Sequence, residues 1–305
     1  MITLKDDQEL ISIESWDQIL SRPGYSGNVD PESAKLKDII GNYYLPSEVP
    51  CGLSSCHQQH LKGYVVSTVA GAITNVGHVC GKKYFGVEFE QMRRQFDRDV
   101  RMQSYREELS AFQRRIPEIE SAIEDLRTEA FGADWVNRQV TALLTPGNGI
   151  DTVRTTLMDM VKRQDERITI PREATKEEKA AAEERERRTI EGPMYIDEVV
   201  GRLMGLSTLA DQNSLREILI LDLEVGLKRV AQLDVDTAIE TVLARESRWA
   251  GEVAQKLELA NLNIRTGRQL FTKRNLRQLE HLIKAERERA AFRAIMTDMP
   301  LGNSA

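Results

Sequence analysis

The most informative stretch of the chain is residues 51–86, which read CGLSSCHQQHLKGYVVSTVAGAITNVGHVCGKKYFG. This stretch contains all three cysteines of the protein and three of its four histidines. Thiolates and imidazoles are ligands that suit zinc, and structural zinc sites usually have four ligands in a tetrahedron. An odd number of cysteines cannot pair completely in disulfides within one chain. The clustering therefore favours a metal site.

The spacing indicates which side chains would bind the ion. Cys51, Cys56 and Cys80 supply three thiolates. His60 is the first choice for the fourth ligand, because Cys56 and His60 are four residues apart and would share one face of a helical turn. We therefore predict a structural Zn²⁺ site formed by Cys51, Cys56, His60 and Cys80.

Two other histidines are alternatives for the fourth position. His78 lies two residues before Cys80, and alternate residues of an extended segment face the same way. His57 ranks third, because the side chains of the adjacent residues Cys56 and His57 would diverge. An inert set of buried free cysteines is the competing interpretation, since free cysteines are often buried.

The residues between the ligands predict a β-hairpin. Residues 63–68 and 72–76 are rich in β-branched side chains and flank residues 69–71. A helical segment begins shortly after Cys80. Over roughly residues 48–100 the chain resembles the treble-clef group of zinc fingers in topology and ligand order. That resemblance implies a structural zinc ion held between a loop and the start of a helix, although Lys83 stands three residues after Cys80, where a treble clef has a ligand.

From residue 87 onward the spacing of apolar residues predicts helices. The apolar residues between 109 and 126 recur three and four apart, as in a helical hairpin packed within one chain or a coiled-coil dimer. Pro117 predicts a kink or a new helix start. The predicted fold is mainly α, with a small zinc-stabilised β-hairpin module near the N-terminus followed by long helices and a C-terminal helical domain.

Composition divides the chain into five segments. The predicted segments are an N-terminal segment (1–50), a zinc-binding hairpin module (51–86), a long helical hairpin (87–161), a charged linker or projecting helix (162–192) and a C-terminal helical domain (193–305). Within the first segment we expect short helices at Glu14–Leu20 and Glu32–Ile40 and an extended connection at Asn42–Pro46.

The charge pattern sets limits on partners. The net charge is -6, whereas a chain that coats nucleic acid is usually basic. Two regions are nevertheless basic, around 82–101 and 265–293, and local fields of that kind can steer a charged partner. The candidate nucleic-acid-binding residues are Lys82, Lys83, Arg93, Arg94, Arg265, Arg268, Lys273, Arg274 and Arg277.

The function predicted from these features is a non-enzymatic interaction or assembly protein with a structural zinc site and helical surfaces for a protein partner or for self-association. The alternative is a zinc-containing nucleic-acid-binding protein that uses the two basic regions. The sequence contains no phosphate-binding loop, dinucleotide-binding motif, GxSxG turn or HExxH motif, so an enzyme is not expected. It also lacks an apolar run of ~20 residues and a secretory signal, which favours a cytoplasmic protein without a membrane partner.

Overall fold

The computed structural model describes residues 2–6 and 9–302. Helix accounts for 56% of the chain and strand for 19%, and most of the strand lies in one antiparallel sheet near the N-terminus. The predicted fold is therefore wrong in this region, where a five-stranded sheet replaces the small hairpin module. Met1, Asp7, Gln8 and residues 303–305 of the predicted segments lie outside the described residues.

The sheet has the strand order β2-β1-β3-β4-β5, with antiparallel neighbours throughout. Its strands are β1 (Ile2–Asp6), β2 (Glu9–Ile13), β3 (Leu36–Pro50), β4 (Gln59–Thr68) and β5 (Ile73–Val76). Strands β4 and β5 occupy the positions of the predicted hairpin, with Tyr64 opposite Val76. They form one edge of a larger sheet, because β4 also pairs with β3, and β3 in turn pairs with β1.

The segment before the cysteines contributes three strands that composition did not reveal. A short helix, α1 (Asp17–Leu20), lies within the expected Glu14–Leu20. The helix expected at Glu32–Ile40 is wrong, because β3 begins at Leu36. Gly41, Tyr43 and Leu45 are buried while their neighbours are more exposed, which is the alternation of a strand with one face in the core. Pairing with β1 and β4 overrides the local helical preference.

The two faces of the sheet carry separate apolar clusters. Val65 and Val66 are adjacent in β4 and therefore point to opposite faces. Val65 packs with residues of β1 and β3, whereas Val66 packs with Cys51, Cys80 and aromatic side chains of the following helix. The cysteine cluster therefore belongs to the helix-covered face.

The helix on that face, α2, extends from His78 to Thr128. Gly86 interrupts it with a φ of 59° and a ψ of -136°, values that only glycine adopts readily. Pro117 lies inside the helix, and the backbone there keeps helical angles. The break predicted at Pro117 is thus located at Gly86 instead.

The chain divides into two compact units. The first consists of Met1–Ala111 with Asp234–Ser247, and the second of Phe112–Leu233 with Arg248–Ala305. The remaining helices are α3 (Ala133–Leu144), α4 (Asp151–Arg163), α5 (Lys176–Glu186), α6 (Val225–Ala231), α7 (Glu240–Leu270), α8 (Lys273–Arg277) and α9 (Glu286–Ile295). A π-helix occupies Arg216–Glu224, and 3₁₀ turns occupy Leu206–Leu209, Asp211–Asn213 and Gln278–Leu282. The long helices α2 and α7 contribute to both units.

The charged stretch 162–192, expected as a linker or a projecting helix, has defined structure. Strand β6 (Arg167–Glu173) precedes α5 and pairs antiparallel with β7 (Tyr195–Arg202). A capping box between Thr175 and Glu178 starts α5, and Arg172 binds the Glu178 carboxylate through two hydrogen bonds. Backbone pairing and ion pairs stabilise this stretch, which has few buried apolar side chains.

The apolar seam of α2 is buried within a single chain. Phe112, Ile116, Ile119 and Ile123 are all buried in the second unit. The Phe112 ring packs edge-on against Trp249, with 6.0 Å between ring centroids. The seam is thus used for packing inside the chain, which is the first of the two interpretations that its spacing allowed.

Candidate metal centre

Backbone hydrogen bonds fix the loop that carries the first two cysteines. This loop connects β3 to β4 and begins with Cys51, whose N–H donates to the carbonyl of Gln58 at 2.9 Å. The next N–H, of Gly52, donates to the carbonyl of Asn75 in β5 at 2.8 Å, and the Gly52 carbonyl accepts from Val29 N–H at 2.8 Å. The loop is therefore attached to β5 and to the segment before β3, which contains Val29.

A tight turn within this loop positions the second cysteine. The N–H of Cys56 donates to the carbonyl of Leu53 at 3.0 Å, and the Leu53 side chain is fully buried in the core. His57 follows in the left-handed conformation, with a φ of 52°, and reverses the chain direction. The apolar anchor at Leu53 and this reversal keep Cys56 close to Cys51.

The third cysteine lies in the first turn of α2. Gly81 N–H donates to the carbonyl of Gly77 at 2.8 Å, which closes the first helical turn around Cys80. A Cβ atom at Gly81 would collide with the ring of Phe89, so the helix start lies directly against the segment that follows the Gly86 break. The partial positive charge at a helix N-terminus favours a thiolate at Cys80.

The three thiols converge on one point. The sulfur atoms of Cys51, Cys56 and Cys80 all lie within 4.8 Å of one another, and those of Cys56 and Cys80 are 3.1 Å apart. A tetrahedral ion with Zn–S bonds of about 2.3 Å requires sulfur–sulfur distances of ~3.8 Å. The observed separations bracket that value, so the three cysteines lie close enough to bind one metal ion.

Backbone N–H groups also point at two of these sulfurs. The N–H groups of Leu53 and Gly77 donate to Cys51, and that of Gln58 donates to Cys56. Hydrogen bonds of this kind stabilise the charged form of an acceptor. The polypeptide around the cluster is therefore arranged to receive thiolates.

Burial and neighbouring groups shift the pKa values of the three thiols in different directions. Burial raises the pKa of the Cys51 thiol above its ordinary value despite its two N–H donors. Burial would also raise the pKa of Cys56, but the Gln58 N–H, the neighbouring thiols and the positive charge of Lys83 lower it. Burial and the hydrogen bond with Cys56 raise the pKa of Cys80 to about 12. Several like charges at this spacing need a counter-ion, and a metal ion would supply one.

His60, the first choice for the fourth ligand, lies in strand β4 and not on a helical turn with Cys56. Its Nδ1 is 3.0 Å from the carbonyl of Gln58, which can only accept, so Nδ1 carries the proton. Its Nε2 is 2.5 Å from the hydroxyl of Tyr43 and accepts that hydrogen bond. Both ring nitrogens thus have partners, and His60 is not part of the thiol cluster.

A buried polar network that the sequence did not reveal fixes this arrangement. Asn75 is 1% exposed and donates through Nδ2 to the carbonyl of Pro50 at 2.9 Å and to the Tyr43 hydroxyl at 3.2 Å. Its Oδ1 accepts from the hydroxyl of Tyr25 at 2.8 Å. The sequence-level signal is a lone asparagine in a β-branched strand, which is buried only when its amide is satisfied.

The other two histidines also lie outside the cluster. His78 is the first residue of α2, where residues two apart point to nearly opposite sides, so the extended geometry assumed for His78 and Cys80 is not present. Its Nε2 is 2.8 Å from a carboxylate oxygen of Glu90. His57 is exposed and shares the loop with Cys56, and its Nδ1 is 3.2 Å from the carbonyl of Cys51.

Acidic partners neutralise part of the two basic regions. Arg93 is held between the carboxylates of Glu90 and Asp97, and Arg268 binds Glu129. Lys82, Lys83, Arg94, Arg265, Arg274 and Arg277 are exposed, whereas Lys273 is partly buried.

Comparison of the chain with protein-family models, curated protein sequences and solved structures found no significant match. The arrangement of the cysteines therefore stands on its own geometry. Across the described parts of the chain, no helix has the length and apolar character needed to cross a lipid bilayer.

Proposed function

We propose that Cys51, Cys56 and Cys80 bind one structural Zn²⁺ ion that fastens the β3–β4 loop to the first turn of α2. The observation that supports the proposal is the convergence of three sulfur atoms from two separate elements within 4.8 Å. Thiolates select soft or borderline ions, and zinc adds no redox chemistry of its own. Its binding energy, on the order of 10 kcal/mol in small zinc modules, would contribute directly to folding.

The order of these elements supports a structural role. A ligand loop, the β4–β5 hairpin and a ligand in the first turn of a helix follow one another as they do in treble-clef zinc fingers. Here the hairpin belongs to a five-stranded sheet, so the ion would reinforce an existing core. The proposed resemblance to treble-clef zinc fingers is therefore limited to the loop, the hairpin and the start of the helix.

For the fourth position we place His57 first. It is exposed, it shares the loop with Cys51 and Cys56, and its Nδ1–H faces a backbone carbonyl, which leaves the Nε2 lone pair available. Zinc-bound histidines commonly donate their second ring N–H to a carbonyl or carboxylate in this way. His60, first from spacing alone, would have to give up its bond to Tyr43.

Three single substitutions distinguish these assignments. The His57→Ala variant should bind zinc more weakly, by 10-fold or more, whereas His60→Ala and His78→Ala should keep the affinity of the unmodified protein. Competition with a chromophoric chelator measures each affinity. If only His60→Ala weakens zinc binding, His60 is the fourth ligand, as predicted from sequence. If none of the three variants changes the zinc affinity, the fourth ligand is a water molecule.

We further propose that the protein is a non-enzymatic interaction or assembly protein. Three cysteines that converge on one point are a ligand set that structural zinc sites use. Near it, α2 exposes two large apolar side chains, Val79 at 74% and Val87 at 73%. Apolar groups exposed beside a rigid centre suit contact with a protein partner or a second copy.

Chelation of the purified full-length protein tests the structural role. Removal of the ion should lower the unfolding temperature and increase proteolysis of the 51–58 loop, and re-addition of Zn²⁺ should reverse both. Val79→Ala is a matched control, because it alters the same helical turn without touching a ligand. Unchanged unfolding after complete removal of a bound ion would exclude a structural role.

Nucleic-acid binding is the second candidate, supported by the exposure of Lys82 and Lys83 beside the cluster. Binding through these side chains should weaken steeply as salt increases, because phosphate contacts release counterions. Titration of labelled single- and double-stranded DNA and RNA at low salt tests it. The double variant Lys82→Ala/Lys83→Ala should abolish most of any binding, and an absence of binding at low salt would eliminate this candidate.

A further inference from the structure

We propose that Cys56 and Cys80 form a reversible disulfide when the site meets a peroxide, and that this disulfide expels the bound ion. The inference rests on the proposed function for the ion, but the disulfide itself rests on geometry. The sulfurs of these two residues are 3.1 Å apart, which is a hydrogen-bonded contact between thiols from elements 24 residues apart in sequence. A small shift brings them to bonding distance.

Exposure determines which thiol reacts first. Cys51 is 0% exposed and Cys80 is 7% exposed, whereas Cys56 is partly accessible to solvent. A small oxidant therefore reaches the Cys56 sulfur from solvent. Access and proximity together make Cys56 the attacked residue and Cys80 the resolving residue.

The chemistry balances in two steps. The Cys56 thiolate attacks one oxygen of hydrogen peroxide, so that an S–O bond forms, the O–O bond breaks and hydroxide leaves. Because a bound ion would keep Cys80 as a thiolate, its sulfur then attacks the Cys56 sulfur, so that the S–S bond forms and the S–O bond breaks, and the departing hydroxide takes a proton from solvent and becomes water. Two thiols lose two electrons in total, and one peroxide becomes two waters after the first hydroxide is protonated.

The ion is lost because only one thiolate remains. Cys51 alone cannot compete for zinc, since structural sites need about four ligands. The disulfide would nevertheless connect the same two elements as the ion, the β3–β4 loop and the first turn of α2. Oxidation should therefore empty the site while the first unit stays folded, and a dithiol reductant with Zn²⁺ should restore it.

Treatment of the zinc-loaded full-length protein with hydrogen peroxide tests the proposal. Zinc release is followed with a chromophoric chelator, free thiols are counted in denaturant, and peptides are mapped without reduction. We expect release of all bound zinc, loss of two of the three thiols, a cross-linked peptide pair containing Cys56 and Cys80, and full recovery with a dithiol. A cross-link to Cys51, or zinc release without any cross-link, would overturn the proposal, as would retention of zinc and of all three thiols.

Two variants distinguish formation of the disulfide from binding of zinc. Cys51→Ser removes a metal ligand but keeps the reactive pair, so it should bind zinc poorly and still form the Cys56–Cys80 disulfide. Cys56→Ser should form none. If the purified protein never contains metal, the proposed zinc site is contradicted but the proposed disulfide is not. The peptide map of the same metal-free protein after peroxide treatment would then show whether the disulfide forms.

Discussion

The sulfur atoms of Cys56 and Cys80 lie 3.1 Å apart, although the two residues belong to a loop and to a helix that are separated by the β4–β5 hairpin. Cys51 completes the group from the other end of the loop. Three thiols this close together can share a cation or react with one another. This relationship supports both the proposed zinc site and the proposed oxidation of the pair.

The contact between Gly81 and Phe89 should control the position of Cys80. In Gly81→Ala the added methyl group would collide with the Phe89 ring, and we expect a loss of about 1–3 kcal/mol of stability together with weaker zinc binding. Gly251→Ala is the matched control, since nothing lies within 4 Å of a Cβ there and helical alanine should stabilise by about 0.5–1 kcal/mol. Denaturant unfolding of both variants measures the difference. Equal effects would mean that Gly81 is not required for close packing.

Tyr43 should contribute to the stability of the fold but not to zinc binding, although its hydroxyl is hydrogen-bonded to His60. Tyr43→Phe removes the hydroxyl that His60 and Asn75 share, which should cost about 1–3 kcal/mol because buried polar groups lose a partner. The zinc content should stay the same. Tyr195→Phe, at an exposed position of β7, is the control and should change stability little. A tighter zinc site in Tyr43→Phe would instead show that Tyr43 holds a ligand away from the metal.

Asp222 should make the second unit sensitive to acid. Burial alone would raise the pKa of Asp222, but hydrogen bonds from Lys256 and Trp249 lower it below its ordinary value. A carboxylate with a lowered pKa stabilises the fold above its unfolded pKa of about 3.9, and that contribution is lost as pH falls through the folded value. The stability gap between the unmodified protein and Asp222→Asn should therefore narrow below about pH 4.

Unfolding curves followed by tryptophan fluorescence at several pH values measure this gap. Asp211→Asn, at an exposed position of the same unit, is the control and should show a smaller gap that varies little with pH. A gap for Asp222→Asn that stays constant from neutral to acid pH would contradict the assigned role of Asp222.

The convergence of the three cysteines could be predicted from sequence because the prediction depends on residue type and clustering. Cys51, Cys56 and Cys80 do come together, and the hairpin between them is present as β4 and β5. The histidine assignment depended on local geometry, which the sheet determines. His60 was placed on a helical turn, but pairing with Val49 in β3 makes it a strand residue.

The first fifty residues show why the sheet itself was not predicted. Strands β1 and β2 are each five residues long, and charged residues and a proline interrupt the apolar alternation of β3. Such strands gain their stability from neighbours distant in sequence, such as the pairing of Ile2 with Tyr43. Similarly, hairpin pairing orders the charged stretch that contains β6 and α5, and composition alone does not show that pairing.

The metal content of the purified full-length protein is the most direct measurement of the central claim. Elemental analysis, combined with a thiol count in denaturant, should give one zinc ion per chain and three titratable thiols, and Cys80→Ser should contain much less zinc. Metal-free protein that keeps three reduced thiols, takes up no added Zn²⁺ and unfolds at the same temperature as the Cys80→Ser variant would contradict the claim.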